Sequence, residues 1–219
     1  MASNFDFLAK YWPRLSQLGA LAEVFLSSDP EACLDKLGMF ADEVAQTLCT
    51  LEQPTLPAQA GHGDRIRALK QADLLPPQIE ELILSLHKAR GDALHMGLCS
   101  QQKAEAQLEP AFCLGCWLMQ VYGDPDWIAP AFVLPENTTS ADLASMEEKL
   151  TALLSAPAEN RAPVIALPKE ERIRRSKIAA ASLPLAAIGI CPGPVKLDVR
   201  TLPVINLALH QNRTPLIQA

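Results

Sequence analysis

Residues 29–51 read DPEACLDKLGMFADEVAQTLCTL, and this stretch decides the fold. Asp29-Pro30 is a helix start. The Asp accepts from free N–H groups of the first turn, and Pro takes the first helical position, where its missing N–H is no loss. Beyond it, Leu34, Leu37, Ala41, Val44, Ala45, Leu48 and Leu51 fall on one stripe at helical spacing, with Asp35, Asp42, Glu43 and Gln46 away from it. This is an amphipathic helix of about six turns, which has to bury its stripe against other elements.

The neighbouring segments repeat the pattern. Upstream, behind Pro13, Leu15, Leu18, Leu21, Ala22 and Phe25 recur at the same spacing. Downstream, residues 52–63 hold two prolines and two glycines and read as a loop, followed by a short helix from Asp64 to Ala72. Pro76-Pro77 opens a further helix with Ile79, Leu82, Ile83, Leu86, Ala93 and Leu94 on its apolar face, ending near Gly97. Ser100 caps another, which Pro110 is expected to kink or restart. Within it AFCLGCWLMQVY, residues 111–122, is apolar almost all round and should be the most buried helix, broken by Gly123-Asp-Pro-Asp. Residues 139–155 add an amphipathic helix through Leu143, Met146, Leu150 and Leu153. No segment alternates with period two, so the expected fold is an all-α helical bundle of about five to six helices.

Composition sets the limits. The chain has 219 residues, 49% of them apolar, and a formal net charge of -6. Mean hydropathy is +0.09, enough for a core and too high for global disorder. No apolar run approaches the roughly 20 residues that span a bilayer, so no membrane role is expected. MASNFDFLAKYW has no basic segment followed by an apolar one, which excludes a secretory signal. Six cysteines without an export signal read as reduced thiols of a cytoplasmic protein.

Charge and proline divide the chain. Residues 1–150 carry 10 basic against 21 acidic side chains, whereas residues 151–219 carry 9 against 4. Eight of the 18 prolines lie in 157–215, where they interrupt every candidate helix. The expected organisation is a helical bundle over 4–136, a charged helical linker over 137–177, and an irregular, Pro-rich, poorly structured tail over 178–219.

Three constellations bear on chemistry. Cys113-x-x-Cys116 has metal-ligand or redox spacing, but it lies inside an apolar helix with no second ligand pair, so the thiols read as small buried hydrophobes. Arg90-Gly-Asp-Ala-Leu-His95 offers a metal-free phosphodiester centre. Arg90 or Lys88 would anchor a phosphate, His95 would shuttle the proton of a ribose hydroxyl, and Asp92 would orient His95. On an ideal helix positions 90 and 95 point about 140° apart, while Lys88 and His95 nearly eclipse. His95 also suits a helix C-terminus as a cation on the dipole. KEERIRRSK, residues 169–177, is a candidate phosphate contact, or a solvated helix paired Glu170 to Arg174 and Glu171 to Arg175. Phosphate-binding loops, helicase boxes, nucleophile elbows, HExxH and carboxylate nuclease sets are absent from the sequence. No cofactor and no metal are therefore expected in this chain.

Three segments carry a family resemblance: NFDFLAKYWPRLSQLGALAEVFLSSDPEACLDKLGMFADEVAQTL, LLPPQIEELILSLHKARGDALHMG, and LGCWLMQVYGDPDWIAPAFVLPE. Over about residues 4–155 the chain resembles the N-terminal helical domain of type I restriction enzyme R subunits, a domain distantly similar to HEPN domains. In the family pattern a basic pair falls at His87 and Lys88, Gly-Asn at Arg90-Gly91, and a His at His95. This chain keeps the His and lacks the usual Arg and Asn. The resemblance implies a nuclease and an ATP-driven translocase after the linker. Here the chain runs instead through SLPLAAIGICPGPVKLDVRTLPVINLALHQNRTPLIQA, which suggests a truncated or frame-shifted R-subunit gene.

The functional expectation is a non-catalytic module of phage defence that docks on restriction–modification subunits or contacts nucleic acid. The acidic body ranks protein partners above DNA, with nucleic-acid contact left to the basic linker. The alternative is an enzyme: a HEPN-like, metal-independent ribonuclease acting as a dimer.

Overall fold

In the computed structural model, residues 3–124, 126–135, 148, 150–152 and 167–183 are described. They form α1 (Pro13–Ser28), α2 (Pro30–Glu52), α3 (His62–Gln71), α4 (Pro77–Met96), α5 (Gln101–Leu118) and α6 (Lys169–Ser182), and among them there is no strand. The fold is all-α, and α2 is its axis: it packs along α1 and α4 and also meets α3 and α5. Leu34, Leu37, Ala41, Val44, Ala45 and Leu48 of its stripe are fully buried, and so is Phe40 beside it.

The helix boundaries follow local chemistry. Asp29 Oδ1 accepts from the Ala32 N–H at 3.0 Å, and Ser100 Oγ accepts from the Lys103 N–H at 3.2 Å. Gly97 closes α4 in the left-handed region at φ 60°, where a Cβ would be strained. The α3 helix starts at His62 rather than at Asp64. Asp64 is the third helical residue, its carboxylate accepting from the Gly61 N–H at 3.1 Å, so it completes a cap instead of being one. The α5 helix runs through Pro110 without restarting. Its last turn widens to a π-helical loop over Met119–Gly123, where the Asp124 N–H reaches Met119 O at 3.0 Å. The apolar segment is buried as expected, with Trp117 and Leu118 shut off from solvent.

The N-terminus is locked onto this frame. Phe5 rests against Gly19 so closely that a methyl there would overlap its ring. Asn4 then ties two distant segments: its Nδ2 donates to Val133 O at 2.8 Å, and the Val133 N–H donates to Asn4 Oδ1 at 3.0 Å. Phe7 stacks on Trp127 with centroids 4.6 Å apart.

The charged stretch at 169–177 differs from expectation. In place of a solvated linker helix with an irregular tail from residue 178, α6 continues to Ser182 and docks on the bundle. Ser176, Ala179 and Ala180 are buried, and Ile173 packs against the core. Arg172 holds Glu52 in a two-pronged ion pair at 2.6 and 2.7 Å, and the Trp117 Nε1–H donates to Ser176 O at 3.3 Å. Small residues at helical spacing give α6 one apolar edge narrow enough to be hidden by the charges that make up half of it. Of the helix expected at 139–155, only Glu148 and residues 150–152 are described, all helical; the remainder, like residues 184–219, lies outside the described residues.

Candidate functional site

Asp35, Gly38 and Asp42 fall within a narrow arc on one side of α2, one and two turns apart. Arg90 of α4 lies across them, with its methylenes occupying the space a Cβ at Gly38 would take. Its Nε donates to Asp35 Oδ1 at 2.8 Å and its Nη1 to Asp42 Oδ2 at 3.1 Å. The other oxygen of Asp42 faces two imidazoles. His87, one turn before Arg90, places Nδ1 3.2 Å from Asp42 Oδ1. His62, brought back by the loop after α2 to the first position of α3, places Nδ1 2.5 Å from the same oxygen. The two rings stack, 4.0 Å between centroids and 3° from parallel.

Burial differs across this cluster. The His62 side chain is 13% exposed and that of His87 44%. Both ring nitrogens of His62 are shut off from solvent: Nδ1 is ion-paired to Asp42 at 2.5 Å, and Nε2 has no hydrogen-bond partner. Burial acts to raise the Asp42 pKa, but His62, His87 and Arg90 together outweigh it and hold the carboxyl below its ordinary value. One carboxylate thus serves three cationic or potentially cationic groups from two other helices, α3 and α4.

The residues singled out from sequence are dispersed. Arg90 points to α2, with two of its donors engaged by carboxylates. Asp92 faces Lys103 Nζ at 3.4 Å. Lys88 and His95 are exposed on α4, His95 in its last turn. Arg90 and His95 do not meet, as their angular separation implies. Cys113 and Cys116 are buried within α5, where burial pushes the Cys113 thiol up to about 12 and raises Cys116 as well. In the basic stretch Glu171 pairs with both Arg174, at 2.8 Å, and Arg175, at 3.0 Å, while Lys177 pairs with Asp73 at 2.7 Å. Sequence reasoning missed His62 and gave Asp42 and His87 no chemical role. The signal available was the i, i+3, i+7 arc of Asp35, Gly38 and Asp42, which marks a polar groove rather than a solvated face.

The fold and this cluster define a helical bundle with a half-buried polar seam, in which no described helix is long and apolar enough to cross a membrane. Over 166 residues the chain is 26% identical to the endonuclease subunit of the type I restriction enzyme EcoKI from Escherichia coli (strain K12). The match takes in 74% of this chain and 14% of that subunit. No family model matches the chain, and no solved structure matches it.

Proposed function

We propose that this chain is a non-catalytic docking domain of the type I restriction R-subunit kind, which joins protein partners of a restriction–modification assembly in the cytoplasm. The observation that carries this reading is the similarity to a restriction endonuclease subunit over 74% of the chain. The surface supports it. At about 100° per residue, Leu84, Lys88, Gly91, Leu94 and His95 fall within one outward arc of α4. Leu84 and Leu94 are 45% and 44% exposed, and Met96 and Leu98 beyond them 67% and 55%. An apolar strip on an acidic body suits a protein partner better than a phosphate backbone. The pairing of Arg172, Arg174, Arg175 and Lys177 with carboxylates further lowers the claim of nucleic acid.

The test is purification of the tagged chain from its own cells with identification of what it carries. Recovery of restriction–modification subunits is the expected result, and a chain that emerges alone would overturn the docking reading. A second reading, a dimeric metal-independent ribonuclease, draws support from the joint exposure of Lys88 and His95 on the α4 arc. RNA cleavage that is lost in His95→Ala is its signature.

A further inference from the structure

We propose that Asp42, His62 and His87 form a binding site for a divalent transition-metal ion of the Zn²⁺ class, independent of the docking reading. The three side chains come from α2, α3 and α4, and one ligand atom from each lies within 4.8 Å of the others. Two imidazoles and one carboxylate make a borderline-soft N2O donor set, which suits Zn²⁺ and its neighbours better than Mg²⁺ or Ca²⁺. Three protein ligands leave further positions to water, and the half-exposed His87 gives an ion its way in.

Two observations point to a ligand rather than to a simple polar seam. The first is His62, a largely buried imidazole whose Nδ1 is ion-paired at 2.5 Å to Asp42 Oδ1 and whose Nε2 is shut off from solvent without a hydrogen-bond partner. Two imidazole nitrogens converging on one carboxylate oxygen are donors that a single metal ion can take up together with it. The second is the orientation of Asp42. Arg90 takes Oδ2, itself balanced by Asp35, and leaves Oδ1 to the two Nδ1 atoms. That is the outer-shell arrangement by which proteins orient a ligating carboxylate. Ligands of a tetrahedral ion with bonds near 2.1 Å stand about 3.4 Å apart. The His87 spacing of 3.2 Å meets this. His62 has to withdraw slightly and the two rings have to splay from their parallel stack to converge on the ion.

The experiment is titration of the full-length reduced chain with Zn²⁺ alone, followed by Co²⁺ as a spectroscopic probe. One ion per chain is expected, with affinity lowered roughly tenfold or more in His87→Gln and in Asp42→Asn. His87→Gln sits at a half-exposed position and keeps the bundle intact, which circular dichroism verifies. Bound Co²⁺ should show visible ligand-field bands without thiolate charge transfer, and binding should persist in a Cys113→Ser, Cys116→Ser double variant. Absence of stoichiometric binding, affinity unchanged in His87→Gln, or a thiolate spectrum would each overturn the site.

Discussion

Arg90 lies across Gly38, and the missing side chain of that glycine is what lets one guanidinium reach both Asp35 and Asp42. A methyl at position 38 would overlap the Arg90 Cβ, Cγ and Cδ, the stiff root of the side chain rather than its free end. Gly38→Ala should therefore cost about 1–3 kcal/mol through overpacking. Gly91 is the control. Its Cβ would meet nothing within 4 Å, so Gly91→Ala should stabilise α4 by about 0.5–1 kcal/mol through helix propensity alone. Urea unfolding of the pair decides the matter, and equal effects would mean that Arg90 simply moves aside.

The ion pair of Glu52 with Arg172 holds α6 to the bundle. The Glu52 carboxylate is 1% exposed and also accepts from the Tyr122 hydroxyl at 3.1 Å. Arg172→Met strands that charge without its partner, and breaking a buried pair in this way costs about 3–5 kcal/mol. Glu52→Gln in the same chain should recover part of the loss. Because Trp117 contacts α6 through Ser176 O, release of the helix should red-shift its emission before the bundle unfolds. Emission unchanged throughout would show that α6 is held by its apolar edge instead.

Glu23 and Asp42 respond to pH in opposite senses. Burial raises the Glu23 pKa, against the hydrogen bonds from Ser3 and Asn4 that favour the charged form. Its folded value lies above its unfolded one, so Glu23 destabilises the fold at neutral pH and that cost fades as pH falls through the raised value. Glu23→Gln keeps an acceptor for Asn4 and should raise the melting temperature at pH 7, with the advantage shrinking in acid. For Asp42 the folded pKa lies below the unfolded one, and its contribution is lost as pH falls through the lowered value. The difference in melting temperature between wild type and Asp42→Asn should accordingly narrow in acid.

Thiol chemistry offers a check on the α5 core. Cys99 is exposed, whereas Cys33, Cys113 and Cys116 are buried, and burial pushes the Cys33 and Cys113 thiols up to about 12. The thiolate is the reactive form. In native protein at pH 8 an aromatic disulfide reagent should modify Cys99 quickly and leave Cys33, Cys113 and Cys116 protected until denaturant is added. Peptide mapping by mass spectrometry assigns the sites, and early labelling of Cys113 would place α5 outside the packed core.

The bundle was legible in the sequence because its information is local. The α2 stripe, Asp29-Pro30, Ser100 and Gly97 each lie within a turn or two of what they determine. The polar seam was not legible for the complementary reason. His87 reaches Asp42 across 45 residues of chain, and the register of α4 against α2 is set by packing that no single helix records. Reading Arg90 along its own helix led to His95, whereas the structure turns it sideways onto α2. The docked face of α6 had a signal, with Ile173, Ser176 and Ala180 at helical spacing, but small residues among many charges weigh little in a hydrophobic pattern.

The neighbouring residues Leu94 and His95 separate the two functional readings. Both lie on the exposed arc of α4, and neither is needed by the core, so substitution at either should leave the fold intact. Leu94→Asp places a charge in the apolar strip and should cut partner recovery strongly while leaving any RNA cleavage untouched. His95→Ala removes the candidate proton carrier and should abolish a ribonuclease activity while sparing association, since little apolar surface is lost. If Leu94→Asp leaves recovery intact, the partner docks elsewhere than on α4. If His95→Ala alone abolishes a metal-independent cleavage, the chain is an enzyme, and Lys88, about two turns from His95 on the same arc, becomes the next side chain to replace.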